Sequence, residues 1–208
     1  MSLIKRSTIS NRLIGMGDSH LDNFEFFCAA TCRVPGATAY GLTNNQSETR
    51  AREAFLNFLF AFPGYIPLLC VGEVDCNSLP WKHGRTDTPE SFIEQSIDHL
   101  FSFLFETSRK FILASVTLPP VESYQGSKIR PWVKANKEAR TTLVKLYNKK
   151  LKAESIKEGH IFLDITTPTT GTDGLVNNFF TQSEHDVHLA PEKIRDIVRI
   201  RLDGIANG

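Results

Sequence analysis

The chain has no excess of either charge, no long hydrophobic run and no paired cysteine motif, and each absence removes a class of function. Its 24 Lys and Arg face 23 Asp and Glu, a formal net charge of +1. That balance carries no polyanion signature and no acidic tail, so nucleic acid and anionic membranes are not the expected main partners. No stretch approaches the ~18 consecutive apolar residues of a membrane span, and the opening MSLIKRSTISNRL lacks the apolar centre of a signal peptide. A cytoplasmic, non-exported protein is the expectation. Cys28, Cys32, Cys70 and Cys76 form no CxxC pair and have no histidines at zinc-site spacing, so buried free thiols in a reducing compartment are expected. Repeats and low-complexity tracts are missing too. What is present is globular material: 41% hydrophobic residues, 23% charged and 15 phenylalanines in 208 residues. That is too apolar for disorder and, at roughly 100–200 residues per domain, implies one domain with its core over about residues 12–206.

Short apolar runs alternate with longer amphipathic stretches. Strands are predicted at Leu13 to Met16, Ala37 to Tyr40, Ile66 to Val71, Phe111 to Val116 and Ile161 to Ile165. A short helix through Phe24, Phe26 and Phe27 follows the first. Ser47 caps the next, with Ala51, Ala54, Phe55, Phe58, Leu59 and Phe62 on one face. Thr88-Pro89-Glu90 starts a third, buried through Ile93, Ile97, Leu100, Phe101 and Leu104. A fourth runs from about Trp132 through Leu151, and the last carries Ile194, Ile197, Val198, Leu202 and Ile205. Thr117 to Arg130, with Pro119-Pro120 and Gly126-Ser127, reads as a long loop of the kind that lines a site. Alternating strands and helices predict an α/β fold, a three-layer α/β/α sandwich on a five-stranded parallel sheet. Ligands of such sheets sit at the carboxyl ends of the strands. Ser19, Gly41, Gly72, Glu73, Asp75, the Pro-rich loop and the segment before the last helix fall there.

Two segments carry chemistry. Gly17-Asp18-Ser19 directly follows the first strand, where a tight turn into a helix exposes a serine hydroxyl among backbone N–H groups, a nucleophile and half an oxyanion hole together. The same tripeptide is also ordinary turn and N-cap chemistry. Glu184-His185-Asp186-Val187-His188-Leu189-Ala190-Pro191 stands just before the last helix. A serine becomes a useful nucleophile when a histidine takes its proton, and a carboxylate orients that histidine. The plain structural reading is a solvated cap with Pro191 in the first turn. Two such segments converging on one sheet edge favour the catalytic reading.

A GDS turn after the first strand, a glycine after each of the next two and an Asp/His element before the last helix resemble the SGNH (GDSL-type) esterase and lipase superfamily, from Leu13 to Leu189. Cys70-Val71-Gly72-Glu73-Val74-Asp75-Cys76 resembles the GEIDC element of an SGNH-like branch linked with surface polysaccharide. Phe162-Leu163-Asp164, Asp173-Gly174 and His185-Asp186-Val187-His188-Leu189 add to that likeness. The resemblance implies a flavodoxin-like SGNH hydrolase fold with no cofactor. It makes Ser19 the nucleophile, His188 the base, and the N–H groups of Ser19 and Gly41 oxyanion donors. The implied substrate is a small-molecule or glycan ester, an O-acyl group on a carbohydrate in the first place, open to hydrolysis or acyl transfer.

Three departures accompany the likeness. The superfamily's carboxylate stands three residues before its histidine, where this chain has His185. Asp186 is assigned the orienting role, with Glu184 or a plain Ser/His dyad as alternatives. Val74 occupies the place of the usual oxyanion asparagine, so Asn77, Asn44 or Asn45 is expected to substitute. His20 replaces the usual leucine, its role open.

His20 also motivates a rival. Asp18-Ser19-His20 reads as the D-x-H that opens metallophosphoesterases, with Glu73, Asp75, His185 and His188 as further ligands. The Gly-Asn-His-Asp/Glu and Gly-His-x-His runs of those enzymes are absent. A third reading is a non-catalytic module of the same fold that binds a glycan or a partner, favoured by Val74 and His185. Phe55, Phe58, Phe60 and Phe62 read as packing, and Lys145, Lys149, Lys150 and Lys152 as a solvated helix face. Trp81, Lys82, His83 and Trp132 are candidates for substrate contact.

Overall fold

The computed structural model describes residues 12–44, 47–82, 87–122, 124, 130, 132–183 and 186–207. Five strands, β1 (Leu13–Gly17), β2 (Ala30–Arg33), β3 (Ile66–Cys70), β4 (Ile112–Ala114) and β5 (Ile161–Leu163), form one sheet in the order β2-β1-β3-β4-β5. All neighbouring pairs are parallel. Parallel neighbours require crossover connections, and helices α1 (Ala51–Ala61), α2 (Glu73–Asn77), α3 (Pro89–Thr107), α4 (Lys137–Lys157), α5 (Thr166–Thr169) and α6 (Pro191–Asn207) punctuate the connections and close the chain. The result is the expected α/β fold, a five-stranded parallel sheet flanked by helices. None of the described helices is long and apolar enough to cross a membrane.

Local chemistry explains most boundaries. α3 begins where Thr88 accepts a hydrogen bond from the Ser91 N–H and Pro89 occupies the first turn, and it buries Ile93, Ile97, Leu100 and Leu104. α4 starts at Asn136, whose side chain accepts from the Ala139 N–H. That is later than Trp132, since residues 132–136 form a turn and irregular backbone ahead of the helix. α6 begins at Pro191 as expected and buries Ile194, Val198 and Leu202.

The second strand is where the sequence misleads. Ala37 and Ala39 are fully buried, which produced the strand-like signal, but they pack in a loop that leads into a 3-10 turn at Tyr40–Thr43. The true β2 is the edge segment Ala30–Arg33, half-exposed and, among the described residues, paired only with β1. An edge strand covered on fewer sides needs no continuous apolar run. Ser47 likewise caps nothing: α1 follows Arg50, which takes a positive φ of 48° with no side-chain cap. Of the Phe run, Phe55 is buried whereas Phe60 is 88% exposed, so Phe60 contributes no packing.

The order 2-1-3-4-5 sets the position of the site. The chain leaves β1 toward β2 and then crosses back to β3, so a crevice opens outside the carboxyl ends of β1 and β3. Gly17, the last residue of β1, is needed there. A Cβ at this position would stand 2.2 Å from the Cys70 carbonyl oxygen, which accepts the Asp18 N–H. The close approach of β1 to β3 thus aims the residues after Gly17 out of the sheet edge.

Candidate active site

Asp18 caps the 3-10 turn Ser19–Asn23, its carboxyl accepting the His20 N–H at 2.8 Å. Ser19 is therefore the first residue of a helical turn, where N–H groups lack intrahelical acceptors. Its N–H has no acceptor among the described residues. The hydroxyl is half-buried.

The opposing wall is the loop before α6. Thr181 and Leu189 form an antiparallel bridge, Gln182 donates to the carbonyls of His188 and Leu189, and Ala190 donates to Phe180. This pinch projects His188 toward Ser19, with Nε2 at 2.8 Å from Ser19 Oγ. Asp186 Oδ1 accepts from His188 twice, from the backbone N–H at 2.9 Å and from Nδ1 at 2.6 Å. An acceptor on Nδ1 fixes the ring proton there and leaves the Nε2 lone pair for the serine proton. Burial opposes ionisation of Asp186, but the hydrogen bonds from His188 outweigh it and hold the carboxyl below its ordinary range. Ser19, His188 and Asp186, from the two ends of the chain, are thus in one hydrogen-bonded line. The Glu184 and His185 alternatives lie outside the described residues, as do Asn45 and His83.

The other expected site residues are brought close but are occupied with structure. The Gly41 N–H, expected at the oxyanion, donates to Thr38 Oγ1 at 2.8 Å; it is committed to its own turn. Asp75, expected at the substrate, is fully buried and accepts from the N–H groups of Ala39 and Tyr40 at 2.8 and 2.9 Å. Burial drives its pKa up to about 6, against those two hydrogen bonds. Gly72 takes φ +119°, and a Cβ there would lie 2.6 Å from the Tyr147 ring, so its role is to let the chain turn against α4. Val74 does stand on α2 beside these groups, and Asn77 is buried at the end of that helix.

Glu73 is 4% exposed and is gripped by Arg130 through two hydrogen bonds of 2.7 and 2.8 Å. Burial would raise its pKa, but Arg130 lowers it to about 2. Sequence reasoning missed Arg130. The usable signal was Glu73 itself, because a carboxylate buried after a strand needs a partner, although its position does not say whether that partner is a cation or a neutral donor. Tyr124 accepts from Arg130 and lies under both Arg130 and Arg140. Arg140, fully buried, donates to the Val121 and Glu122 carbonyls. The described parts of the 117–136 loop are thereby tied down beside the site. Trp81 donates its ring N–H to the Cys76 carbonyl, and Trp132 is half-buried.

His20 faces inward, 4% exposed. Its Nε2 lies 3.2 Å from the Val187 carbonyl oxygen and its Nδ1 3.3 Å from Asp18 Oδ1. Both nitrogens are therefore turned to protein partners. Among the described residues no group of three or more His, Cys, Asp or Glu side chains is arranged to hold a metal ion, so the D-x-H reading of Asp18 and His20 finds no built site there. The four cysteines are free, with Cys70 and Cys76 buried and Cys28 and Cys32 half-buried.

No family model matches the chain, and no curated protein matches it in sequence. Solved structures do match in fold. A GDSL-like lipase from Bacteroides thetaiotaomicron aligns over 95% of this chain and 88% of its own, with a TM-score of 0.63 and 16% identity. A carbohydrate acetylesterase from Sinorhizobium meliloti aligns over 94% and 98%, with a TM-score of 0.59 and 12% identity. The C-terminal domain of the Drosophila Oskar protein aligns over 91% and 87%, with a TM-score of 0.58 and 14% identity. At these identities the likeness is one of architecture, and chains named for ester hydrolysis share it with one whose name carries no activity. The strand order, the turn after β1 and these alignments together give the chain the fold of the SGNH (GDSL-type) hydrolases.

Proposed function

We propose that the protein is a serine hydrolase of carboxylic esters, acting on a short O-acyl group carried by a carbohydrate. The observation that carries the reading is the 2.8 Å contact between Ser19 Oγ and His188 Nε2, with Asp186 on the far nitrogen of the same ring. Ser19 attacks the acyl carbon while its proton passes to Nε2. The free Ser19 N–H faces the oxyanion, the imidazolium returns its proton to the leaving alcohol, and water repeats the steps to release the acid. A sugar hydroxyl in place of that water would make the same residues an acyltransferase.

Two features support a short acyl group. Among the described residues, the cavity behind the Asp18-Ser19-His20 turn, walled by Asp18, His20, Asn23, Glu73 and Ser115 among others, is only about 10 Å³, too small to take an acyl chain. Among chains of this fold, one is named a carbohydrate acetylesterase. With Gly41 committed elsewhere and Val74 in place of an asparagine, at least one oxyanion donor of the family pattern is missing. One such donor is worth ~10²–10³ in turnover, so a modest kcat is expected.

The test is release of p-nitrophenol from its acetyl ester, together with covalent labelling by a fluorophosphonate probe. Wild type should do both, and Ser19→Ala should lose both while its circular dichroism and melting temperature stay unchanged. Acetylated oligosaccharides should be better substrates than esters of long-chain acids. Activity that survives in Ser19→Ala removes the serine mechanism, and a wild type that neither turns over nor labels leaves the binding-module reading in its place.

A further inference from the structure

The GDS turn is followed by a histidine that the mechanism above does not use. His20 lies between the two halves of the site. It is two residues after Asp18 and one after Ser19 on one side, and on the other it touches the 186–188 loop, its ring centroid 4.6 Å from that of His188 with the planes 34° apart. The Val187 carbonyl, 3.2 Å from Nε2, can only accept, so Nε2 must carry a proton. Nδ1 then faces Asp18 Oδ1 at 3.3 Å, an ion-pair distance outside hydrogen-bond geometry. A lone pair on Nδ1 would repel that oxygen, whereas an N–H attracts it.

We infer that His20 is a positioning residue, an imidazolium strut that ties the nucleophile turn to the Asp186-Val187-His188 loop and holds His188 at hydrogen-bond distance from Ser19. The strut acts through both ends at once. Losing its proton removes the attraction to Asp18 and frees the neutral ring to change tautomer, after which the Val187 carbonyl has no obligatory donor. The groups that face the ring from every side are Asp18 on its own turn, Glu73 on α2 with Arg130 behind it, and His188 and Asp186 on the loop before α6. Burial works against the charged ring, but Asp18 and Glu73 prevail and move its pKa from 6.5 to about 9.

The inference rests on the ester-hydrolase reading, so its test includes a measurement that needs no turnover. Ring nitrogen chemical shifts of the wild type are followed by NMR against pH. Both His20 nitrogens should be protonated at pH 7.5 and titrate near pH 9. In parallel, fluorophosphonate labelling of Ser19 and kcat with p-nitrophenyl acetate are measured from pH 6 to 10. Wild type should lose reactivity through the same alkaline limb. His20→Gln keeps a donor for the Val187 carbonyl but carries no charge. It should be slower by about ten- to a hundredfold, with KM little changed and the alkaline limb gone. A neutral His20 ring at pH 7.5 overturns the inference, and so does a folded His20→Gln with wild-type rates and pH profile. If His20→Gln does not fold, the wild-type titration and its match to the alkaline limb decide. If the wild type never labels, the hydrolase reading fails separately and the ring titration alone decides the strut.

Discussion

Replacing Asp186 by asparagine tests the orienting member of the candidate triad and has a magnitude that the geometry supplies. When His188 takes the serine proton it becomes an imidazolium with the Asp186 oxygen 2.6 Å from Nδ1. Charge centres about 4 Å apart at an effective dielectric near 20 interact by ~4 kcal/mol. The side chains of Asp186 and His188 are 36% and 25% exposed, so water screens part of this. About 3 kcal/mol, or ~10² in rate, remains for the charge alone. Asparagine does further harm, because its amide can donate to Nδ1 and place the ring proton on Nε2, the nitrogen that must accept from Ser19. Buried triads with that wrong tautomer lose ~10⁴. A fall in kcat of ~10³ is expected here, with KM near wild type because Asp186 lies on the side of the ring away from Ser19.

The assay is steady-state hydrolysis of p-nitrophenyl acetate at pH 7.5 beside thermal unfolding, to confirm that the half-exposed loop tolerates the change. His188→Ala serves as the inactive reference, and Glu184→Gln, two residues before Asp186 in the same acidic run, should be mild. A kcat for Asp186→Asn within about threefold of wild type would refute the orienting role and leave a Ser/His dyad. The larger loss in Glu184→Gln would move the role to Glu184.

The charge pair under the site should be costly to break. Arg130→Met leaves Glu73 buried without its cation and should destabilise the fold by ~3–5 kcal/mol in urea titrations, a result refuted by an unchanged midpoint. The pH dependence follows from the sign of the Glu73 shift. Its folded pKa, about 2, lies below the ordinary 4.5, so the Arg130 contribution is complete above pH ~4.5 and disappears as pH falls toward 2. The stability gap between wild type and Arg130→Met should therefore close on acidification over that window. Gly17→Ala forces a Cβ onto the Cys70 carbonyl oxygen and should cost ~3 kcal/mol or more, with loss of activity. Gly64→Ala, with nothing within 4 Å, should melt like wild type.

The line Ser19, His188, Asp186 was legible because chemistry and punctuation coincide in the sequence. Each segment stands where a periodic element ends, a strand before Gly17 and a helix after Pro191, and the sheet brings such ends together whatever lies between. The second strand was not legible, because Ala30–Arg33 is an edge segment of mixed polarity, while buried Ala37 and Ala39 copied a strand's composition in a loop. The roles of Gly41, Arg130 and His20 depend on partners 3, 57 and 167 positions away, at Thr38, Glu73 and Val187. Spacing along the chain carries no information on the two distant contacts.

Glu73 and Asp75 make the same point within one short helix. They are two residues apart on α2, both acidic and both buried, and no sequence pattern separates them. Arg130 answers Glu73 with a full charge in a two-pronged grip, so its carboxyl stays ionised down to about pH 2. Asp75 is answered chiefly by the neutral N–H groups of Ala39 and Tyr40, which do not offset its burial, and its pKa rises to about 6. The first carboxylate holds Arg130 beside the carboxyl end of β3, and the second fixes the turn after β2. Between them they hold two walls of the crevice into which β1 delivers Ser19.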